Sequence, residues 1–437
     1  MSATLAYALG VLALVVGIAL SVALHELGHM LPAKAFGVKV PEYFIGFGPR
    51  LWSFRRGGTE YGVKAIWLGG YVRLLGMLPP ARPDRPDKPG SMVAEAREES
   101  LTELGPDEQH RAFYRLSVPR KLIVMAGGIL TNLVLGVLLL AVALGVVGQP
   151  GYTATVATVT TCVSADVESA VECTDTDPVS PAQAAGFEPG DRLLTWAGAP
   201  LATWEDVQAA ILASGTGPRE VVVERDGQQL TLTVSAVEIE RTVYDEAGHP
   251  VTAEDGTVVT RLRPYVGLSP TLGTVRVPAG EVAGQVALAV SKTLGAIVTI
   301  PAGLYHAVLA GVGAEERNPE GLISLVGVGR IAGEVSAAGA GTGHIPFSVR
   351  LFTMLSLLGS LNLALFAFNL VPLLPLDGGH VAGACWEGLR RTWARASGRA
   401  DPGYADTARM LPVGQVVFGL LIVMAVLLIW VDLVAPL

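Results

Sequence analysis

His25, Glu26 and His29 form a His-Glu-x-x-His pattern inside "SVALHELGHMLPA", residues 21–33. On an α-helix, residues four apart share a face, so both imidazoles reach one point. Such a pair can hold one Zn²⁺ from a single helix. Glu26, one residue on from the first histidine, is placed to take a proton from the water that the metal activates. A hydrolytic zinc wants three protein ligands and an open position, and it lowers the pKa of its water to around 7. A third ligand must come from elsewhere. Asp377 in "NLVPLLPLDGGH", residues 369–380, is the candidate, because two histidines and one carboxylate complete such a sphere. His380 is a rival and ranks below Asp377, since it lies further out. The plainer alternatives are a polar cluster that ends a helix at a membrane surface and a helix-ending Asp-Gly turn.

The elements that must position these residues read as membrane spans. Of 437 residues, 51% are hydrophobic and 16% are charged, where a soluble domain carries about 25% charged. Lipid is the solvent this composition fits. Residues 5–24, 122–147, 351–376 and 411–431 are uncharged runs, each reaching the roughly 20 residues a helix needs to cross a bilayer core. Ionisable residues at the end of the first run are costly in lipid unless paired or functional. The first run reads as a retained helix rather than a signal peptide, because no Lys or Arg precedes Lys34 and cleavage after 21–23 would fall just before the motif. The net charge of −8 argues against nucleic acid as a partner.

Basic residues near the spans set the orientation. Residues 31–121 hold 15 Lys/Arg against 10 acids, and residues 151–281 hold 7 against 19. The first segment reads as cytoplasmic and the second as exported. The arginine-rich connection at 381–410 also reads as cytoplasmic, so four spans leave both termini outside. Cys162 and Cys173 fall in the exported segment, where a disulfide persists; Cys385 falls on the cytoplasmic side as a free thiol.

Between the spans the patterns change. Residues 46–77, broken by Gly57-Gly58 and Gly69-Gly70, predict short strands and tight turns. Residues 79–110, rich in Pro and charge, read as a flexible cytoplasmic loop. Residues 180–234 predict a strand, a helix, then two strands joined at Asp226-Gly227, which is a small α+β domain. Residues 282–314 are apolar but interrupted by Gly and Pro301. A crossing there would put Asp377 on the wrong side of the membrane, so they read as a helix at the outer interface.

The His-Glu-Leu-Gly-His of the first span, "NLVPLLPLDGGH" near the end and the exported domain between them together resemble the site-2 protease family of intramembrane metalloproteases, in particular bacterial members acting on anti-sigma factors. The resemblance covers nearly the whole chain. It implies His25, His29 and Asp377 as zinc ligands and Glu26 as general base. Gly128 and Asn132 in "GGILTNL" match the family's Gly-x-x-x-Asn, and Asn369 and Pro372 match a substrate-proximal segment; these four are the expected substrate-binding residues. Close helix packing is an equal reading for Gly128, and packing or substrate contact for Asn132. The role of Pro375 stays open. "PAQAAGFEPGDRLL" looks like part of a PDZ domain, with one such domain here.

The expected fold is thus a polytopic α-helical membrane protein with about four transmembrane helices, a membrane-associated β-hairpin region and one exported α+β PDZ domain. Its segments are 1–32 (first span), 33–120 (hairpin region and loop), 121–148 (second span), 150–275 (PDZ domain), 276–350 (interfacial helix and linker), 351–378 (third span), 379–410 (cytoplasmic connection) and 411–432 (fourth span). The expected function is zinc-dependent cleavage of single-pass membrane proteins such as anti-sigma factors in regulated intramembrane proteolysis. A strand edge in residues 60–77 would receive unwound substrate by β-addition. The enzyme would sit in the cytoplasmic membrane with its active site near the cytoplasmic side. Rival readings are a membrane PDZ scaffold with an inactive or structural metal site, and a metal-dependent enzyme acting on lipid.

Overall fold

The computed structural model describes residues 2–81, 85–163, 173, 177–243, 245, 249–253, 255–319, 321–338 and 345–436. Parts of the expected 79–110 loop, of the Cys162–Cys173 segment and of the 276–350 linker lie outside them. The chain divides into two units, 1–146 with 278–344 and 350–437, and 147–277 with 345–349.

The larger unit opens with α1, Ala3–Ala35, capped by the Ser2 hydroxyl on Leu5 N. Pro32 has no N–H to give the carbonyl of Gly28. That carbonyl faces Gly127 of α3 (Val118–Val142) so closely that a Cβ on Gly127 would lie 2.0 Å away. Two glycines thus let α1 and α3 approach backbone to backbone, as small residues do between membrane helices. Between them, β1 (Glu42–Arg56) and β2 (Thr59–Arg73) form an antiparallel hairpin around Gly57-Gly58. Its register doubles back: residues 42–45 pair with both 60–63 and 70–73. Gly69-Gly70 therefore lies within β2 instead of forming the expected turn. Ser53, Arg55 and Arg50 surround the Glu60 carboxyl and hold it below the usual carboxylate range.

The 79–110 segment departs from the expected loop. It contains α2, Met92–Thr102, and a 3₁₀ turn at Pro106–Arg111. Arg97 of α2 is 3% exposed, bonded to Asp87 at 2.7 Å and to Asp406 at 2.9 Å. A buried guanidinium with two carboxylates on different segments ties the stretch down.

The second unit comprises β3 (Gln149–Val159), α4 (Pro181–Ala185), β4 (Arg192–Trp196), β5 (Ala199–Pro200), α5 (Trp204–Ser214), β6 (Pro218–Arg225), β7 (Gln228–Ser235), β8 (Val237–Thr242), β9 (Thr260–Tyr265) and β10 (Leu268–Val275). Its antiparallel sheet runs β10-β3-β4-β6-β7 with β5 beside β4, and β8 pairs β9 separately. Val156, Leu193, Trp196, Val207 and Val221 form its core. Asp226 and Gly227 both take positive φ in the β6–β7 turn, as that dipeptide foretells. A Thr203/Asp206 capping box starts α5, and backbone N–H groups of Thr203 and Ala202 hold the Asp206 carboxyl below its usual range. Cys162 and Cys173 are disulfide-bonded.

Back in the larger unit come α6 (Ala279–Gly311), α7 (Leu325–Ala337), α8 (Phe347–Leu370), α9 (Asp377–Ala396) and α10 (Leu411–Val434). The apolar run 351–376 does not stay helical. Pro372 and Pro375 lack N–H groups and disfavour helix in the residue before each, so α8 stops at Leu370 and Asp377 begins α9. The Leu374–Pro375 peptide is cis.

Among the described residues five helices are long and apolar enough to cross a membrane, α6 included. α8 runs parallel to α1, with Asn362 bonded to Ser21 at 2.9 Å and Leu358 against Gly17. α6 begins against the C-terminal end of α3, where Val286 meets Leu140, and ends against the C-terminal end of α10, where Ala307 meets Leu428 and Val431. α3 and α10 point the same way: α10 starts at Leu374 and ends at Asp432 beside Gly327, whose helix packs on the N-terminal half of α1. Both ends of α6 therefore lie at one end of the bundle, where a single crossing would separate them.

Lys121 of α3 and Glu387 of α9 form a buried ion pair at 2.8 Å, and Glu387 also accepts from Ala405 N at 3.0 Å. Removing one partner of such a pair leaves an uncompensated charge at a cost of about 3–5 kcal/mol. Glu387→Gln is thus expected to lower the thermal unfolding midpoint in detergent, and the double variant Lys121→Met/Glu387→Met to recover most of the loss. An unchanged midpoint in the single variant would show that this pair does not hold α9 to α3.

Candidate metal centre

α1 presents His25 and His29 on one face, and the break at Pro372 and Pro375 delivers Asp377 opposite them. His29 Nε2 lies 3.2 Å from His25 Nε2 and 3.2 Å from Asp377 Oδ2, and His25 Nε2 lies 3.3 Å from the same oxygen. The rings stand edge to face, 84° apart. Side-chain exposure is 12% for His25, 4% for His29 and 19% for Asp377, so the point they share is sheltered without being sealed.

These distances fit a tetrahedral ion. With metal–ligand bonds of about 2.0–2.1 Å, the edges of a tetrahedron are about 3.3–3.4 Å. Two imidazole nitrogens and one carboxylate oxygen are a donor set suited to zinc and leave the fourth corner for water or substrate. The histidines are held from behind. His29 Nδ1–H donates to the carbonyl of Val124 at 2.8 Å, and Nδ2 of the Asn132 side-chain amide lies 3.0 Å from His25 Nδ1. Among the described residues this is the one cluster of three such donors close enough for a metal.

The sequence profile described as Peptidase family M50 matches residues 13–400. The chain belongs to that family. Across 98% of both chains it is 34% identical to Zinc metalloprotease Rip1 of Mycobacterium tuberculosis (strain ATCC 35801 / TMC 107 / Erdman). It is 32% identical to Zinc metalloprotease Rip1 of Mycolicibacterium smegmatis, over 99% of this chain and 98% of that one. It is 28% identical to Metalloprotease MmpA of Caulobacter vibrioides over 89% of each. The apolar helices of this M50 member make it a multi-pass membrane protein.

Around the cluster the M50 chain arranges its other expected residues unevenly. Glu26 lies against β2, where a Cβ on Gly70 would sit 3.6 Å from its Cγ. Tyr43 fixes the same strand pair to the helix by donating to Ala23 O at 2.7 Å. Gly128 lies against the ring of His29, where a Cβ would come within 2.2 Å of Nε2. Asn132 is 1% exposed and turned to His25. Asn369 is the last residue but one of α8, and Pro372 lines a separate cavity of about 380 Å³ with Leu374, Gly379 and Trp386, which none of His25, Glu26, His29 and Asp377 lines. His380 is not one of the three clustered donors. Two supports escaped sequence reasoning. One is the Val124 carbonyl, which has no side-chain signal. The other is Asn362, whose signal was a lone amide in an apolar run.

Proposed function

We propose that this zinc metalloprotease holds its metal with His25, His29 and Asp377, uses Glu26 as general base, and cleaves single-pass membrane proteins within or near their spans. The observation that carries this reading is the triangle of three donors with 3.2–3.3 Å edges, beside Glu26, two of them on a helix long and apolar enough to cross a membrane. When bound, the zinc acidifies water and polarises the scissile carbonyl. Glu26 takes the proton of the attacking water and passes it to the leaving amine. The two imidazoles keep their geometry through Val124 and Asn132. The hairpin serves as a receiving strand: a substrate helix hides its peptide bonds in its own ladder, and β2 beside Glu26 offers replacement hydrogen bonds once that helix unwinds.

The spans number four in this reading, with α6 returning to the side on which it starts. The site lies toward the cytoplasm and the antiparallel-sheet unit, read as a PDZ domain, is exported. Trp386, Leu389 and Trp393 form an exposed stripe on α9 at 57%, 62% and 62% exposure, suited to the headgroup layer. Anti-sigma factors and similar regulators are the substrate class that the family resemblance favours.

Purified in mild detergent, the wild-type chain is expected to carry about one zinc, and His29→Ala and Asp377→Ala to carry little. Reconstituted with single-pass model helices in liposomes, the wild type is expected to cut within or near the span and to stop when zinc is chelated. Zinc-free wild type, or an Asp377→Ala chain binding zinc as tightly as wild type, would overturn the ligand set. Turnover of lipid in place of peptide would overturn the substrate class.

A further inference from the structure

His25 and His29 both face the shared point through Nε2, so each must carry its ring proton on Nδ1 to leave the Nε2 lone pair directed inward. For His29 the backbone settles this, since Nδ1–H donates to the Val124 carbonyl at 2.8 Å. The group facing His25 Nδ1, at 3.0 Å, is instead the Asn132 side-chain amide, placed with its nitrogen Nδ2 toward the ring. We propose that Asn132 is the positioning residue of His25: its Oδ1 accepts the Nδ1–H proton and so selects the tautomer whose Nε2 can bind metal. The inference rests on the metal-centre reading above.

Three observations carry it. An amide presents either its oxygen or its nitrogen to a partner after a half-turn that leaves its shape unchanged, and only the oxygen accepts a proton. Asn132 Oδ1 is buried without a hydrogen-bond partner while Nδ2 faces His25, so the half-turn that exchanges the two breaks no bond made by the oxygen and gives it one. The residue is 1% exposed, which leaves it no surface to offer a substrate. The spacing has the same logic. α1 and α3 run antiparallel, and His25 stands opposite Asn132 as His29 stands opposite Gly128. The four-residue interval in Gly-x-x-x-Asn therefore matches the four-residue interval in His-x-x-x-His: one position supplies room for a ring, the other an acceptor. Acceptors behind metal-binding imidazoles orient the ring and fix its tautomer, and their loss costs 10–100-fold in metal affinity.

The test uses the full chain in detergent, with zinc affinity read by competition against a chelator for wild type, Asn132→Asp and Asn132→Leu. Asn132→Asp keeps an acceptor and is expected to bind zinc within a few-fold of wild type. Asn132→Leu keeps the bulk and loses the acceptor, and is expected to bind about 10–100-fold more weakly. Loaded with Co²⁺, Asn132→Leu is expected to show an altered visible spectrum while Asn132→Asp resembles wild type. The unfolding midpoint of each metal-free chain separates a site effect from a folding effect, and Asn132→Ala replaces Asn132→Leu if the latter does not fold. A packing role reverses the order, with Leu tolerated and a buried carboxylate not. A substrate-contact role leaves zinc affinity unchanged in both variants. Either result overturns the proposal. Absence of zinc from the wild type would instead overturn the metal-centre reading beneath it.

Discussion

Glu26→Gln is expected to retain about one zinc per chain and to cleave a single-pass membrane substrate about 10²–10⁴-fold more slowly than wild type. The side chain keeps its length and shape, so its packing against Gly70 of β2 survives. What disappears is the ability to take a proton from water and return it to the leaving amine. Zinc content and cleavage rate must therefore part company in this variant, whereas His29→Ala and Asp377→Ala lower both together. A Glu26→Gln chain that loses zinc would make Glu26 a ligand, and one that cleaves at more than about a tenth of the wild-type rate would remove it from the chemistry altogether. The same variant, expressed in its native membrane and cross-linked, is expected to retain single-pass proteins that the wild type processes.

Charge-poor runs marked α1, α3, α8 and α10, because in lipid the hydrophobic demand falls on almost every residue of a span. The residues of the centre were legible for a related reason. His25, Glu26, His29 and Asp377 are ionisable groups where lipid penalises charge, so each calls for a partner or a task. What local pattern concealed were pairings between distant segments. Arg97 sits in a charged stretch that reads as a loop, yet its burial depends on Asp406, which follows 309 residues later. The hairpin's register doubles back because residues 42–45 take two partners, and alternation alone gives no count of neighbours. α8 stops at Leu370 for a reason the sequence does print, Pro372 and Pro375, but an apolar run counted by hydropathy passes straight through both. α6 meets every length and apolarity requirement for a span; the packing of both its ends beside α3 and α10 argues against a crossing. Asn132 could be seen as a polar residue in lipid, but not as the group facing His25 across two helices.

Gly128→Ala is expected to weaken zinc binding by at least about 100-fold, the upper end of what losing a ligand's support costs, and to abolish cleavage with it. Helix propensity alone predicts the opposite sign, since alanine is favoured over glycine by about 1 kcal/mol in a helix interior. Geometry decides against propensity here. The added Cβ would lie 2.2 Å from His29 Nε2 and 2.7 Å from Cδ2 and Cε1, far inside carbon–nitrogen contact distance. The ring has no room to yield, being 3% exposed and held through Nδ1 by Val124. Parting the helices offers little relief, since it would open the Gly28–Gly127 backbone contact one residue away on each helix. The substitution therefore displaces the metal-facing nitrogen itself, and its effect should appear in zinc affinity before it appears in folding. Gly419→Ala on α10 is the matched control, because nothing lies within 4 Å of its added Cβ; it should keep both zinc and activity. A Gly128→Ala chain with wild-type zinc affinity would mean that His29 has freedom this packing denies it, and Gly128 would then have to act on the substrate.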